Sequence, residues 1–98
     1  MENLDQIRDQ IIEIADPTLI YLFGSLAKGT ARPESDIDLC IVARTDHKRR
    51  LLTELYFQVD AERPIDFLLY TPEEWERCLQ DEHSFATVIS REGVLLYG

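Results

Sequence analysis

Two short apolar runs, residues 37–43 (IDLCIVA) and 65–70 (IDFLLY), each carry an aspartate in second position, and a helical pattern lies between them. Over residues 46–59 the apolar side chains Leu51, Leu52, Leu55, Tyr56 and Val59 keep helical spacing. Two strands joined by a helix form a parallel pair, and such crossovers are almost always right-handed. Both strands therefore start at the same end of one sheet. Asp36 and Asp38 stand at the start of the first, and Asp66 at the start of the second. Aspartate is among the poorest strand formers, so its repetition at that edge demands a reason.

The remaining elements surround this pair. Leu4, Ile7, Ile11, Ile14 and Ala15 mark a helix over about residues 3–15, ended by Asp16-Pro17. Residues 18–23 (TLIYLF) read as a strand covered on both faces, broken by Gly24-Ser25. Residues 25–28 read as the first turn of a short helix, followed by a loop over 29–35. Thr71-Pro72-Glu73-Glu74 carries a cap, a first-turn proline and dipole-matched acids, and Trp75, Cys78 and Leu79 share one stripe of the helix it opens. Phe85, Val88 and Ile89 mark a last short helix, and Gly93 releases the chain into an edge strand over 94–97. The expected class is α/β in the broad sense, an α+β fold with a mixed sheet flanked by helices. Ninety-eight residues, 45% hydrophobic, make one domain over 1–98 with a single core.

If strand 18–23 runs antiparallel to strand 37–43, its end at Gly24-Ser25 reaches the edge where the aspartates begin. Clustered carboxylates raise one another's pKa unless a cation holds them, and a hard divalent ion such as Mg²⁺ takes oxygen ligands together with substrate phosphates. Ser25, at a helix start, offers free amides to phosphate, and Gly24 lets the backbone approach closely. Asp36 alone is explicable as a cap or turn residue. Asp38, inside an apolar run, resists that reading and Asp66 repeats the anomaly; each is individually explicable, but three converging on one sheet edge make the metal reading the better one. Lys28 is more often a solvated side chain than a phosphate contact, and the cluster Arg44, Lys48, Arg49 and Arg50 more often a solvated helix start. His47 and His83 have no partner at ligand spacing. Ser25 has no histidine base beside it in sequence, which argues against a serine nucleophile.

A net charge of −9 disfavours direct nucleic-acid binding and suits a basic protein partner. No apolar run has the length of a membrane span and no leader pattern opens the chain, so the default location is the cytoplasm. Cys40 and Cys78 fall within apolar patterns and read as core residues of a reducing compartment.

The run GSLAKGTARPESDIDL, with Gly24-Ser25, ten intervening residues and then Asp36-x-Asp38, resembles the signature of polymerase-β-type nucleotidyltransferases, and more narrowly the minimal nucleotidyltransferases (MNT proteins). The third aspartate in PIDFLLY and the closing EGVLLY extend the likeness over nearly the whole chain. The resemblance implies a polymerase-β-like nucleotidyltransferase fold, Asp36, Asp38 and Asp66 as catalytic residues and Mg²⁺ ligands, and Gly24 and Ser25 as holders of the β and γ phosphates of a nucleoside triphosphate, with Lys28 a lesser candidate. It implies a pair of Mg²⁺ ions, ATP as substrate, and AMP transfer to a tyrosine of a HEPN-domain toxin that the chain silences as antitoxin. The number of copies that assemble stays open, a homo-oligomer included. The competing class is an antitoxin that masks its toxin by contact alone. Transfer to a small molecule such as an aminoglycoside is weakened by the absence of a second domain to build that pocket.

Overall fold

The computed structural model describes residues 3–98. The first helix, α1 (Leu4–Ala15), begins where the Asn3 side chain accepts from the Gln6 amide at 3.1 Å. It ends at Asp16, whose left-handed backbone (φ 46°) returns its N–H to the Ile12 carbonyl. β1 (Leu19–Phe23) follows, then the single-turn α2 (Ser25–Lys28), β2 (Ile37–Val42), α3 (Lys48–Gln58) and β3 (Ile65–Tyr70). α4 (Pro72–Leu79), α5 (Phe85–Glu92) and β4 (Val94–Tyr97) complete the chain.

Four strands form one mixed sheet in the order β3-β2-β1-β4. β2 and β3 are parallel, as the helical crossover requires, and β1 is antiparallel to both β2 and β4. The expected α+β class is therefore observed, with five helices around the sheet among the described residues. Ile37, Leu39 and Ile41 of β2 point to the face where α1 and α3 bury Ile7, Ile11 and Leu55. Cys40 and Val42 point to the other, against Trp75 of α4 and Ala86 and Ile89 of α5. Burial pushes the Cys40 thiol up to about 12, so it behaves as a small apolar side chain there. None of the described helices is long and apolar enough to cross a membrane.

Element ends differ from the sequence reading for local reasons. Thr18 stays outside β1, although its N–H and hydroxyl both donate to the Val42 carbonyl at 2.8 and 3.1 Å. α3 starts at Lys48 and not at 46, because the Thr45 hydroxyl accepts the His47 amide in a tight turn. The basic cluster is only partly solvated: Lys48 pairs with Glu74 at 3.0 Å and Arg44 with Glu73 at 3.5 Å, tying α3 and the loop before it to α4. Thr71 and Glu74 form the reciprocal cap that their spacing suggests, with bonds of 3.2 and 2.8 Å. The Thr71 amide first, and then Lys48, hold the Glu74 carboxyl below the usual range.

The Tyr70 and Pro64 carbonyls of the β3 segment face β2. By alternation the Phe67 N–H points off the free side of the sheet, where it donates to the Tyr56 hydroxyl at 3.0 Å. The Tyr56 and Phe67 rings meet edge to face, 5.0 Å between centroids.

Candidate active site

The register between β2 and β3 sets Ile37 opposite Ile65 and Asp38 opposite Asp66. Residues paired in this way present their side chains to the same face, so the two carboxylates stand beside each other across about 4.8 Å of sheet. On the other side of β2, Phe23 is the register partner of Asp38, which brings the end of β1 and the Gly24-Ser25 turn to the same place. Asp36 precedes β2, delivered by a turn in which Arg32 and Ser35 exchange bonds of 2.8 and 3.0 Å around Pro33.

Gly24 has φ 77° and ψ −154°, a backbone conformation essentially confined to glycine. A Cβ placed there would overlap Asp38 Oδ2 and lie 3.1 Å from its Cγ. The turn and the carboxylate are therefore in contact through a side chain that is missing. Ser25 opens α2, whose leading amides have no carbonyl of their own helix to bond, while Lys28 and Thr30 donate back to the Gly24 and Ser25 carbonyls at 3.2 and 3.0 Å. Gly29, at φ 74°, closes the turn.

Electrostatics single out Asp38. It is half-buried, whereas Asp36 and Asp66 are exposed. Partial burial, then the neighbouring charges of Asp66 and Asp36, push its carboxyl above the ordinary carboxylate value. The structure thus gathers Asp36, Asp38, Asp66, Gly24 and Ser25 at one edge. Lys28 is exposed and lines a small cavity that opens beside Gly24.

Among the described residues no three His, Cys, Asp or Glu side chains stand close enough to hold a metal ion unaided. A closed cage is not what Mg²⁺ uses in such sites, where one or two carboxylates are completed by water and substrate phosphates. All the donors here are oxygens, burial and then the neighbouring charges disfavour the ionised form of Asp38, and the adjoining turn presents backbone amides. Those features fit a hard divalent cation.

One feature at this edge escaped the sequence reading. Phe85, the first residue of α5, is 53% exposed and meets Phe23 edge to face at 5.4 Å between centroids. Its position in an apolar helical pattern marks it as core, and only the fold brings it beside β1.

Main-chain amides that can hold a phosphate chain, with carboxylates suited to carry a cation beside it, serve one class of chemistry: phosphoryl and nucleotidyl transfer. The family comparison is narrower, since the model of the nucleotidyltransferase domain matches residues 4–94. The chain belongs to that family. Among solved structures it is similar to a toxin-antitoxin crystallised with AMP-PNP, with 25% sequence identity and a TM-score of 0.57, over 97% of this chain and 69% of that one. No curated protein matches the chain.

Proposed function

We propose that this chain is a Mg²⁺-dependent nucleotidyltransferase that moves AMP from ATP to a hydroxyl of a partner protein, a tyrosine of a HEPN-domain toxin, and so acts as an antitoxin. The observation that carries the proposal is the in-register pair Asp38 and Asp66 with Gly24 packed on the Asp38 carboxylate. The family membership supports the transfer, and the toxin-antitoxin neighbour with its ATP analogue supports the partner and the nucleotide.

In the reaction an acceptor oxygen forms a bond to the α-phosphorus as the bond to pyrophosphate breaks. The amides at the start of α2 bind the β and γ phosphates, and Gly24 leaves room for them beside Asp38. Asp36, Asp38 and Asp66 would hold the divalent cations, a pair in this reading, whose chemistry is to neutralise charge on the attacking and leaving oxygens. Asp66, exposed at the start of β3, is accessible to a hydroxyl carried in by a partner and takes its proton. The net charge of −9 favours encounter with a basic partner.

The test is incubation of the protein with ATP labelled at the α-phosphate, Mg²⁺ and its toxin. Label on the toxin that is lost in Asp38→Ala supports the proposal. Full neutralisation of the toxin with no label transferred would leave masking by contact as the function and overturn it.

A further inference from the structure

The outer side of α3 carries two aromatic rings that the core does not use. Leu55 is fully buried under the helix, whereas Phe57, two residues on and therefore on the far side, is 87% exposed. Tyr56, between them in direction, is 53% exposed and rests its ring on Phe67 of β3. Beside Tyr56 lies a cavity of about 170 Å³, walled also by Val59, Pro64, Ile65 and Phe67. Ile65 and Phe67 stand on either side of Asp66 in β3, so the cavity wall is one residue, about 3.8 Å of chain, from that carboxylate. By alternation Asp66 points to the other sheet face, and a body resting on the cavity leaves the aspartates uncovered.

We propose that this Tyr56–Phe57 face, with the cavity at the β3 edge, is where the protein that carries the acceptor hydroxyl docks, through a basic segment with an apolar side chain that covers Phe57. The proposal rests on the nucleotidyl-transfer reading of the site and adds to it the place where the partner is held. Charge selects the occupant. Glu54 lies three residues before Phe57, about 4.5 Å along the helix axis, and Asp60 and Glu62 follow in the loop to β3, all of them exposed. Arg49 and Arg50 are more than about 10 Å back along the same axis, roughly a Debye length at 0.1 M salt, and Arg63 in the cavity wall is half-buried. A second copy of this chain would set the same acids, and a like net charge of −9, against each other. A basic partner meets opposite charge, and aromatic side chains are the anchors that protein interfaces bury.

The test measures label transfer from ATP to the toxin as a function of toxin concentration. Phe57→Ala should raise KM for the toxin by about 5- to 30-fold, the size of an interface anchor, while kcat at saturating toxin and KM for ATP change less than twofold. An unchanged urea midpoint shows that the variant is folded. Leu95→Ala, exposed on β4 at the opposite edge of the sheet, should leave KM for the toxin within twofold. Neutralising Glu54 and Asp60 together as Gln and Asn should flatten the rise of that KM with salt. A Phe57→Ala protein with the wild-type KM for the toxin, or an equal loss in Leu95→Ala, overturns the proposal and leaves nucleotidyl transfer standing. Sedimentation that finds the protein alone as a dimer, split into monomers by Phe57→Ala, assigns the face to a second copy and also overturns it. Failure of the transfer reading is seen separately, as wild-type protein that binds the toxin in calorimetry with no label transferred. The docking face then stands if Phe57→Ala weakens that binding by the same factor and falls if it does not.

Discussion

Gly24→Ala is the sharpest perturbation of this site, because two separate costs can be worked from its surroundings. An alanine at φ 77°, ψ −154° sits in a region that costs about 1–3 kcal/mol for any residue with a side chain. Its Cβ would also overlap Asp38 Oδ2, and relief by turning that carboxylate off its rotamer or shifting the backbone adds about 1–2 kcal/mol. Together they predict a loss of about 2–5 kcal/mol. In a domain of this size each kcal/mol lowers Tm by roughly 4–8 °C. Trp75, the single tryptophan and 4% exposed, reports the transition by fluorescence in urea. The two costs separate in a double-mutant cycle: in an Asp38→Ala background the overlap is gone and only the backbone term remains, so Gly24→Ala should cost about 1–2 kcal/mol less there. Any change in charge repulsion caused by Asp38→Ala appears in both arms and cancels. Equal costs in the two backgrounds would refute the contact between the turn and the carboxylate. A Gly24→Ala protein within 0.5 kcal/mol of the wild type, a margin of about surface-substitution size, would refute the backbone geometry as well.

The raised Asp38 carboxyl gives a pH dependence of definite sign. In metal-free buffer the unfolded chain ionises at the ordinary value of 3.8 while the folded one still holds its proton, so wild-type stability should fall relative to Asp38→Asn as pH climbs through that window and then level off; like charges facing across the sheet repel by about 1 kcal/mol in water-like surroundings, and paired urea titrations from pH 3 to about pH 7 would show a flat difference if Asp38 were unperturbed. Adding Mg²⁺ at neutral pH should raise the wild-type Tm and leave Asp38→Asn nearly unmoved, with EDTA reversing the gain; equal shifts in both proteins would place the ion elsewhere. Thr71→Ala should cost about 1 kcal/mol by opening the cap of α4, and because the Glu74 carboxyl is held low, a Glu74→Gln protein should match the wild type only once the pH falls below the carboxylate range, which thermal melts across pH will decide. Leu55→Ala, which empties a position with no solvent exposure under α3, should cost about 2–5 kcal/mol by urea unfolding.

Much of this fold was legible because its punctuation is strong. Asp16-Pro17, Gly24-Ser25, Pro64 and the Thr71-Pro72 cap delimit each apolar run, and the helical length between β2 and β3 leaves only parallel pairing. From that topology the shared edge of Asp36, Asp38 and Asp66 follows. The contact between Gly24 and Asp38 could not be read, since it depends on one backbone angle and on the register of β1 against β2; a slip of one residue would send the carboxylate to the opposite face. The cavity beside Gly24 was hidden for a related reason. Its walls are separated along the chain by two strands and three helices, and apolar periodicity describes each wall without saying which helix lies over which strand. The pairs Arg44–Glu73 and Lys48–Glu74 likewise join segments whose adjacency only the folded sheet creates.

The phenol of Tyr56 has a consequence for how this molecule meets other chains. By occupying the Phe67 amide it acts as a stopper on the β3 flank, so an extended peptide cannot zip along that border without first dislodging it. The opposite flank is formed by β4, where Val94, Leu95 and Tyr97 are partly exposed. A strand added on the β3 side would have to displace this phenol before it could pair with the Phe67 amide.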